Sequence, residues 1–461
     1  MVKNAKQVRE HWSSKLGFLF AAIGSAVGLG VLWKFPYTIG QNGGGLFLLS
    51  YILCTIVIGI PVFIAELLMG RKAQQAAIGT FTILNKGNDF WKLAPWLGVI
   101  SSFLIMSFYS VIAGWGMSYI FMSLCDFAKG MSSQEVGNVF SILEKSGDIC
   151  VLWHFIFTLI TMTIVFSGVR KGIEYWSRIM TRALFIILIL LVIYNTTLPG
   201  FSQAVHFIFY PELANFKFSS ILEALGLAFF TLSLGQGIMF SYGSYIRENE
   251  NVPGLTFVVA ISVILIAILG ALTVFPVVFS YGFEPAAGTG LIFQTLPYLF
   301  AKLPGGKVLA VVFFILFVFC AITSSVAFIE VIATNLMELF QWTRKKAVLL
   351  VASMTFIVGI PCAMAASGGI FFDWTSIYGT NFLDTIDRLV SVWLIPIGGL
   401  ITSLFVGWSW GKKESYDAFI KGCSWKGLWS VWFFTMRWVI PVLIFFIILQ
   451  KSELIDFDAI L

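Results

Sequence analysis

Long apolar runs alternate with short polar segments along almost the whole chain. A bilayer core about 30 Å thick is crossed by about 20 apolar residues in a helix. The pattern predicts eleven spans, at residues 16–39, 46–69, 97–124, 151–166, 183–194, 221–245, 255–279, 308–337, 347–366, 389–408 and 428–449. We therefore expect an all-α polytopic membrane protein in a lipid bilayer.

Composition supports this class. The 461 residues are 59% hydrophobic and 11% charged, an imbalance that the surface of a water-soluble globule does not accommodate. Lys and Arg cluster before the first span and after the second, fourth, eighth and tenth spans. By the positive-inside rule these segments are cytoplasmic. The expected location is the plasma (inner) membrane, with a cytoplasmic N-terminus, an outer C-terminus and no cleaved signal peptide.

The sequence gives little support to other classes of protein, such as nucleic-acid-binding proteins or enzymes. The net charge of +6 is explained by topology, so no nucleic-acid partner is expected. The three histidines are scattered and no catalytic or nucleotide-binding motif occurs, so we expect neither an enzyme nor an ATP-driven pump. Cys125 and Cys150 bracket the long outer loop and either form a disulfide or remain buried thiols.

Two spans contain helix-weakening stretches. Gly24, Gly28 and Gly30 interrupt the first span, and the sequence SLGQG at 233–237 interrupts the sixth. Small residues also serve close helix packing, but interruptions at equivalent positions of two halves are typical of a transporter's central site. We expect one transporter domain over 1–461: a cytoplasmic segment (1–15), inverted five-helix repeats at about 16–196 and 218–408, and an eleventh helix with an outer tail (428–461).

Four motifs resemble the neurotransmitter:sodium symporters, particularly the bacterial amino-acid branch. They are GSAVGLGVLWKFPYTIGQNGGG (24–45), AELLMGR (65–71), FFTLSLG (229–235) and AITSSVAF (321–328), and the resemblance extends from residue 9 to about 408. It implies a secondary active symporter that imports a neutral amino acid with sodium by alternating access. The alternatives are an amino-acid-gated channel or a non-transporting sensor on the same scaffold, or proton-coupled transport.

The resemblance also implies a sodium site. Its ligands would be the carbonyls of Gly24, Val27 and Cys320 and the hydroxyls of Thr323 and Ser324. Oxygen ligands without a full carboxylate suit a monovalent cation. Hydroxyls bonded back to their own helix are the structural alternative for Thr323 and Ser324.

A second sodium site of the family is altered. Val31 replaces a ligand asparagine, and Ser262 aligns with another across a small gap. Ile266 and Leu227 replace polar residues near the chloride site of relatives. Losing a cation and its neighbouring anion together is electrostatically consistent, so we expect one sodium per cycle and no chloride dependence.

The substrate pocket follows from the same comparison. Its expected residues are Ser25, Ala26, Gly28, Leu29, Gly30, Ile105, Tyr109, Phe230, Thr231, Ser233, Gln236, Ser324 and Phe328. Tyr109 would bind a carboxylate, whereas freed carbonyls and Ser233 would hold an amino group. Monoamine carriers place an aspartate at the position of Gly28, so an amino acid is expected, and Gln236 with Phe328 favours a small or moderately polar one.

Charged residues predict two gates. Lys34 would pair with Asp387, or less favourably with Asp384, at the outer gate, unless it snorkels to the surface. Arg9 would pair with Glu338 at the inner gate, covered by Trp12 and Tyr245.

Three carboxylates in or beside the spans leave two driving ions to consider, sodium and the proton. Glu66, Glu223 and Glu330 relay protons or act structurally, by capping helices or bonding across them. The stretch 180–194 lacks the lysine that proton-driven relatives of this architecture use, which favours sodium.

Overall fold

A computed structural model describes residues 9–85, 87–211, 216–283, 290–369, 371–372, 374–375, 379–423 and 425–451. Within these ranges every extended regular element is a helix, and one isolated bridge joins Gly44 to Pro211. The all-α prediction is confirmed. The predicted outer tail from 452 onward and the first eight residues lie outside the described ranges.

Eighteen helices are numbered here in chain order. They are α1 (Lys15–Ala26), α2 (Gly30–Gln41), α3 (Gly45–Ala73), α4 (Ala77–Leu84), α5 (Ala94–Leu124), α6 (Ser133–Lys145), α7 (Gly147–Phe166), α8 (Val169–Asn195), α9 (Phe201–Phe209), α10 (Phe218–Thr231), α11 (Ile238–Ser244), α12 (Val252–Ser280), α13 (Leu296–Lys302), α14 (Gly306–Phe340), α15 (Arg344–Ala363), α16 (Phe382–Ser409), α17 (Lys412–Ile420) and α18 (Leu428–Gln450).

Nine helical segments in the described ranges are long and apolar enough to cross a bilayer. They contain α3, α5, α7, α8, α12, α14, α15, α16 and α18. The pair α1 and α2 forms a tenth span, bent by 48° at its break. Helices α10 and α11 occupy the predicted sixth span and are separated by the non-helical segment 232–237. The two predicted interruptions are therefore confirmed as broken helices.

The largest boundary difference concerns the predicted span at 183–194, because α8 begins at Val169. The N-terminal segment satisfies the polar groups of these extra turns. The Val169 N–H donates to Glu10 at 2.9 Å, and Arg170 Nε donates to the His11 carbonyl at 2.7 Å. The apolar stretch of the sequence stops at these charged residues, whereas the helix itself continues through them.

The interior is organised around α14, which packs extensively against α5 and also contacts α1, α8 and α15. Helix α11 packs closely on α3. Glycines permit that approach: a Cβ atom at Gly70 would lie 2.1 Å from the Phe240 carbonyl oxygen, and one at Gly243 would lie 2.5 Å from that of Leu67. Both broken spans are thus held against continuous helices.

Cys125 and Cys150 are both free thiols, so the disulfide alternative is wrong, and the buried-thiol alternative holds for Cys150 but not for Cys125. Cys150 is buried, accepts a hydrogen bond from Trp115 Nε1 at 3.3 Å and donates to the Leu143 carbonyl at 3.1 Å. These contacts tie its thiol into the packing of α5, α6 and α7. Cys125 is exposed.

Candidate functional site

The break between α1 and α2 and the break between α10 and α11 meet at one backbone carbonyl. The Ser25 carbonyl accepts a hydrogen bond from Ser233 Oγ at 3.1 Å and another from Ser324 Oγ at 2.8 Å. Ser233 has a left-handed backbone with φ +55°, which places it within the break rather than in a helix. Three elements therefore converge where backbone oxygens are released from helical hydrogen bonding.

Gly28 lies where two side-chain hydroxyls approach the backbone too closely for any side chain at this position. A Cβ atom at Gly28 would lie 2.3 Å from Ser324 Oγ and 2.5 Å from Tyr109 Oη. The Leu29 N–H donates to Tyr109 Oη at 2.9 Å, and the Tyr109 ring meets Phe328 edge to face at 5.5 Å. A donor-rich group from α5 thus faces the start of α2.

Other predicted pocket residues surround this point in different ways. Ala26 and Ile105 are buried apolar side chains. A Cβ atom at Gly30 would lie 2.6 Å from the Phe230 ring. The Thr231 hydroxyl is hydrogen-bonded to Tyr51 Oη at 2.9 Å, a partner that sequence reasoning did not identify.

Gln236 places its side-chain amide in the buried segment between α10 and α11. Its backbone carbonyl accepts from Ser102 Oγ at 2.6 Å, which holds the segment against α5. Its side chain is buried, and Oε1 has no hydrogen-bond partner in the described part of the chain. A buried acceptor without a partner favours a ligand that brings a donor.

The predicted sodium ligands lie where α1 faces α14. Thr323 Oγ1 donates to the Cys320 carbonyl at 3.0 Å, and Ser324 Oγ lies 3.4 Å from the Gly24 carbonyl. Val27 lies at the α1 break and is buried. Thr323 Oγ1 also donates to the Phe319 carbonyl at 3.1 Å. Its hydroxyl is therefore bonded to its own helix, as in the structural alternative.

Thr181 of α8 joins this group, and sequence analysis did not select it. A Cβ atom at Gly24 would lie 2.8 Å from Thr181 Oγ1 and 3.1 Å from Thr323 Cβ. The position on α8 nearest to Gly24 is therefore a neutral hydroxyl rather than a lysine. The described residues contain no cluster of three or more His, Cys, Asp and Glu side chains suited to a metal ion.

Ser262 is hydrogen-bonded within its own helix. Its hydroxyl donates to the Val258 carbonyl at 2.8 Å, on an accessible face of α12. Gly270 of the same helix packs on the start of α2, because a Cβ atom there would lie 3.2 Å from Leu32 Cδ2 and 3.6 Å from the Val31 carbonyl oxygen. The alignment of Ser262 with a ligand asparagine stays a prediction.

Lys34 and Asp387, the residues predicted for the outer gate, form an ion pair. Lys34 Nζ lies 2.7 Å and 2.9 Å from the two Asp387 carboxylate oxygens and 4.5 Å from the centre of the Phe230 ring. Ser391 Oγ donates to Asp387 at 3.0 Å. A cavity of about 140 Å³ adjoins the pair and is also lined by Asp384. Lys34 is thus engaged with a carboxylate and an aromatic face rather than snorkelling.

The inner gate also brings together its four predicted residues. Arg9 forms an ion pair with Glu338 and lies 4.6 Å from the centre of the Tyr245 ring. Trp12 Nε1 donates to the Tyr242 carbonyl at 3.1 Å, and the Trp12 ring meets Tyr245 edge to face at 5.7 Å. The N-terminal segment therefore covers the end of α11.

Glu330 has a structural partner on the inner side. Arg344 donates to its two carboxylate oxygens at 2.6 Å and 3.1 Å, and Tyr245 Oη donates to it at 2.6 Å. Because Tyr245 also contacts Arg9, this network joins the inner gate to the loop between α14 and α15. These contacts favour a structural role for Glu330, bonding across helices, over a proton relay.

Replacing Glu330 with glutamine should lower the free energy of unfolding by about 3–5 kcal/mol, because Arg344 keeps its charge after losing a buried partner. Thermal unfolding in detergent measures this. The matched change Glu248→Gln breaks an exposed pair with Lys421 and should cost less than about 1 kcal/mol. Equal costs for the two variants would show that the Glu330 network is not structural.

Glu66 supports the broken sixth span. Its Oε1 accepts the Gly235 N–H at 2.9 Å, and its side chain is fully buried. Gly235 has φ +69°, and a Cβ atom there would lie 2.3 Å from the Ile395 carbonyl oxygen. The carboxyl therefore caps backbone that the interruption leaves outside helical bonding.

Comparison with known proteins extends these observations across the whole chain. A family model described as the sodium:neurotransmitter symporter family matches residues 9–130 and 128–458. A sodium-dependent transporter of Bacillus subtilis is 36% identical over 98% of this chain and all of its own length. One of Haemophilus influenzae is 33% identical with the same coverage. The solved structure of MhsT in complex with L-phenylalanine is similar with a TM-score of 0.87 and 37% identity, covering 96% of this chain and all of that chain.

Proposed function

The chain belongs to the sodium:neurotransmitter symporter family, and from this premise we propose that it imports a neutral amino acid with one sodium ion per cycle and without chloride. Members of this family are membrane transporters and not enzymes. Sodium-coupled amino-acid symport is the general activity. The substrate preference, the ion count and the chloride independence are the proposal.

The convergence at Ser25 is the observation that carries it. Ser233 Oγ donates to the Ser25 carbonyl and keeps its lone pairs as acceptors for an ammonium group. Tyr109 Oη accepts the Leu29 N–H beside Gly28 and keeps its own O–H as a donor to a carboxylate. An acceptor and a donor placed around this break match the two ends of an α-amino acid.

Ser324 provides a physical link between the ion and the substrate. Its hydroxyl lies 3.4 Å from the Gly24 carbonyl of the cation group and 2.8 Å from the Ser25 carbonyl of the substrate group. Sodium at Gly24 would orient the same carbonyl segment that holds the ammonium. Coupling of this kind is reciprocal, so substrate should also raise sodium affinity.

The single-ion proposal rests on Val31, whose side chain offers no oxygen. The Thr231 hydroxyl is already bonded to Tyr51, and the Ser262 hydroxyl is bonded to the Val258 carbonyl of its own helix. The apolar side chains of Leu227 and Ile266 are buried and supply no donor for an anion. Sodium therefore retains one group of clustered oxygens, around Thr323.

The inner and outer networks fit alternating access, with Lys34 and Asp387 at one end and Arg9 and Glu338 at the other. We place the N-terminus in the cytoplasm and the C-terminus outside, in the plasma membrane, and we assign inverted repeats to about 16–196 and 218–408. Each gate must open in turn, and a ligand drives this only through different affinities for the two states.

Reconstitution into proteoliposomes tests this function. An inward sodium gradient should drive concentrative uptake of a radiolabelled neutral amino acid, replacing chloride should change nothing, and a sodium ionophore should abolish accumulation. Accumulation driven by a proton gradient without sodium would support the proton-coupled alternative. Downhill flux alone would indicate a channel, and binding without flux would indicate a sensor.

Asp387→Asn should open the outer gate, because Lys34 loses its charged partner. We expect transport to fall about tenfold, in line with losing one charge-assisted contact. In a Cys125→Ser background, Cys362, which lines the adjoining cavity, should react faster with an external thiol reagent. Asp384→Asn removes the same charge from the same cavity. Asp384→Asn should leave the transport rate and the reaction rate of Cys362 unchanged. An effect equal to that of Asp387→Asn would contradict the assigned Lys34–Asp387 pair.

Gln236→Leu should shift the preference from polar toward aliphatic amino acids, because the unpartnered amide oxygen is removed. One hydrogen bond predicts up to about a tenfold change in relative uptake. Competition with serine, glutamine, leucine and phenylalanine measures this. Gln75→Leu, at the inner cavity, is the control. An unchanged preference in Gln236→Leu would remove this residue from the specificity site.

A further inference from the structure

Arg437 lies within the membrane span α18, and no carboxylate of the described residues pairs with it. Two guanidinium groups at the inner network do have such partners: Arg9 pairs with Glu338, and Arg344 pairs with Glu330. In the described residues, Arg437 forms no ion pair, and its buried Nε has no hydrogen-bond partner. An uncompensated cation inside a span is costly and marks a functional site by default.

Two tryptophans enclose the Arg437 guanidinium. Its central carbon lies 4.2 Å from the centre of the Trp408 ring and 5.5 Å from that of Trp438. The two rings meet edge to face at 4.9 Å, and both side chains are about half exposed on the outside of the helix bundle. We call Arg437, Trp408 and Trp438 the Trp–Arg–Trp cluster.

The backbone fixes this cluster where two helices touch. The π-helical turn Phe405–Ser409 of α16 packs against the π-helical turn Thr435–Val439 of α18. Ser403 Oγ donates to the Met436 carbonyl at 2.5 Å, which satisfies an oxygen near the second turn. Gly407 allows the approach, because a Cβ atom there would lie 2.8 Å from Arg437 Cα.

The cluster lies at the end of a span, at the level where lipid headgroups begin. Trp408 is the last residue but one of α16, and the Arg437 guanidinium lies against its ring. The segment between α16 and α18 carries Lys412, Lys413, Lys421 and Lys426, so the predicted topology places this end at the cytoplasmic leaflet. Tryptophans concentrate at that boundary, and a long arginine reaches toward headgroups from within the bilayer.

We propose that the Trp–Arg–Trp cluster binds the phosphate of an anionic phospholipid from the inner leaflet. The guanidinium offers a planar fork to phosphate oxygens. The exposed tryptophan faces border the glycerol and upper acyl region, and the charge of the guanidinium attracts a lipid with net negative charge. Charge complementarity and exposure to the bilayer thus select a phospholipid. The site is independent of the proposed transport cycle.

Native mass spectrometry of the purified full-length chain tests this site. Phosphatidylglycerol and phosphatidylcholine with identical acyl chains are titrated separately. We expect tighter binding of phosphatidylglycerol by the wild type, and an affinity about fivefold lower in Arg437→Gln. Lys421→Gln removes one positive charge on the same side, away from the tryptophans, and should retain the wild-type preference.

A second variant keeps the test independent of folding. Trp408→Ala preserves the charge and should weaken binding of both lipids by removing one wall of the cluster. The proposal is overturned if Arg437→Gln retains the wild-type preference, if Lys421→Gln loses as much, if Trp408→Ala binds normally, or if the wild type binds both lipids equally.

Discussion

Gly28→Ala should abolish amino-acid binding. The added methyl group would lie 2.3 Å from Ser324 Oγ and 2.5 Å from Tyr109 Oη, so both hydroxyls must move. Moving positioning groups by about 1 Å costs about 100-fold in function. We therefore expect substrate affinity, measured by equilibrium binding of radiolabelled amino acid in detergent, to fall at least about 100-fold.

Gly427→Ala is the matched control for this change. Nothing lies within 4 Å of a Cβ atom at Gly427, so the same added methyl group should leave binding unchanged. Thermal unfolding of both variants separates a blocked site from a damaged fold, because overpacking alone costs about 1–3 kcal/mol. Normal binding by a folded Gly28→Ala protein would place the substrate elsewhere.

Thr323→Val should weaken sodium binding more than any other single hydroxyl change on α14. Valine preserves the shape but removes the oxygen that lies 3.0 Å from the Cys320 carbonyl. A contact with a charged group contributes about 1.5–3 kcal/mol. The sodium concentration for half-maximal uptake should therefore rise about 10- to 100-fold, with little change in uptake at saturating sodium.

Ser325→Ala tests whether position matters beyond the loss of a hydroxyl. Ser325 is fully buried on the same helix, and its hydroxyl has no hydrogen-bond partner in the described residues. Its loss should leave sodium dependence unchanged. A normal sodium dependence in Thr323→Val, or equal changes in the two variants, would contradict the assigned cation site.

Several features were accessible from the sequence because each depends on local chemistry. Gly24, Gly28 and Gly30 in an apolar run predict a break, since glycine weakens a helix wherever it lies. Lys34 predicts a partner for the same reason, as a charge in a span must be compensated. The identity of that partner, Asp387, required the family resemblance, because 353 residues separate the two.

The remaining features depend on the packing of distant segments. Thr181 reads as an ordinary threonine in an apolar helix, and only the approach of α8 to α1 places it beside Gly24. The early start of α8 depends on contacts from Glu10 and His11, which no local pattern contains.

The central claim is that one sodium ion accompanies each amino acid. Its most direct test uses proteoliposomes held at zero membrane voltage, in which an outward amino-acid gradient is raised until it stops net flux under a fixed inward sodium gradient. We expect net flux to vanish when the two concentration ratios are equal. Balance only when the amino-acid ratio reaches the square of the sodium ratio would require two sodium ions and would contradict the account built on Val31.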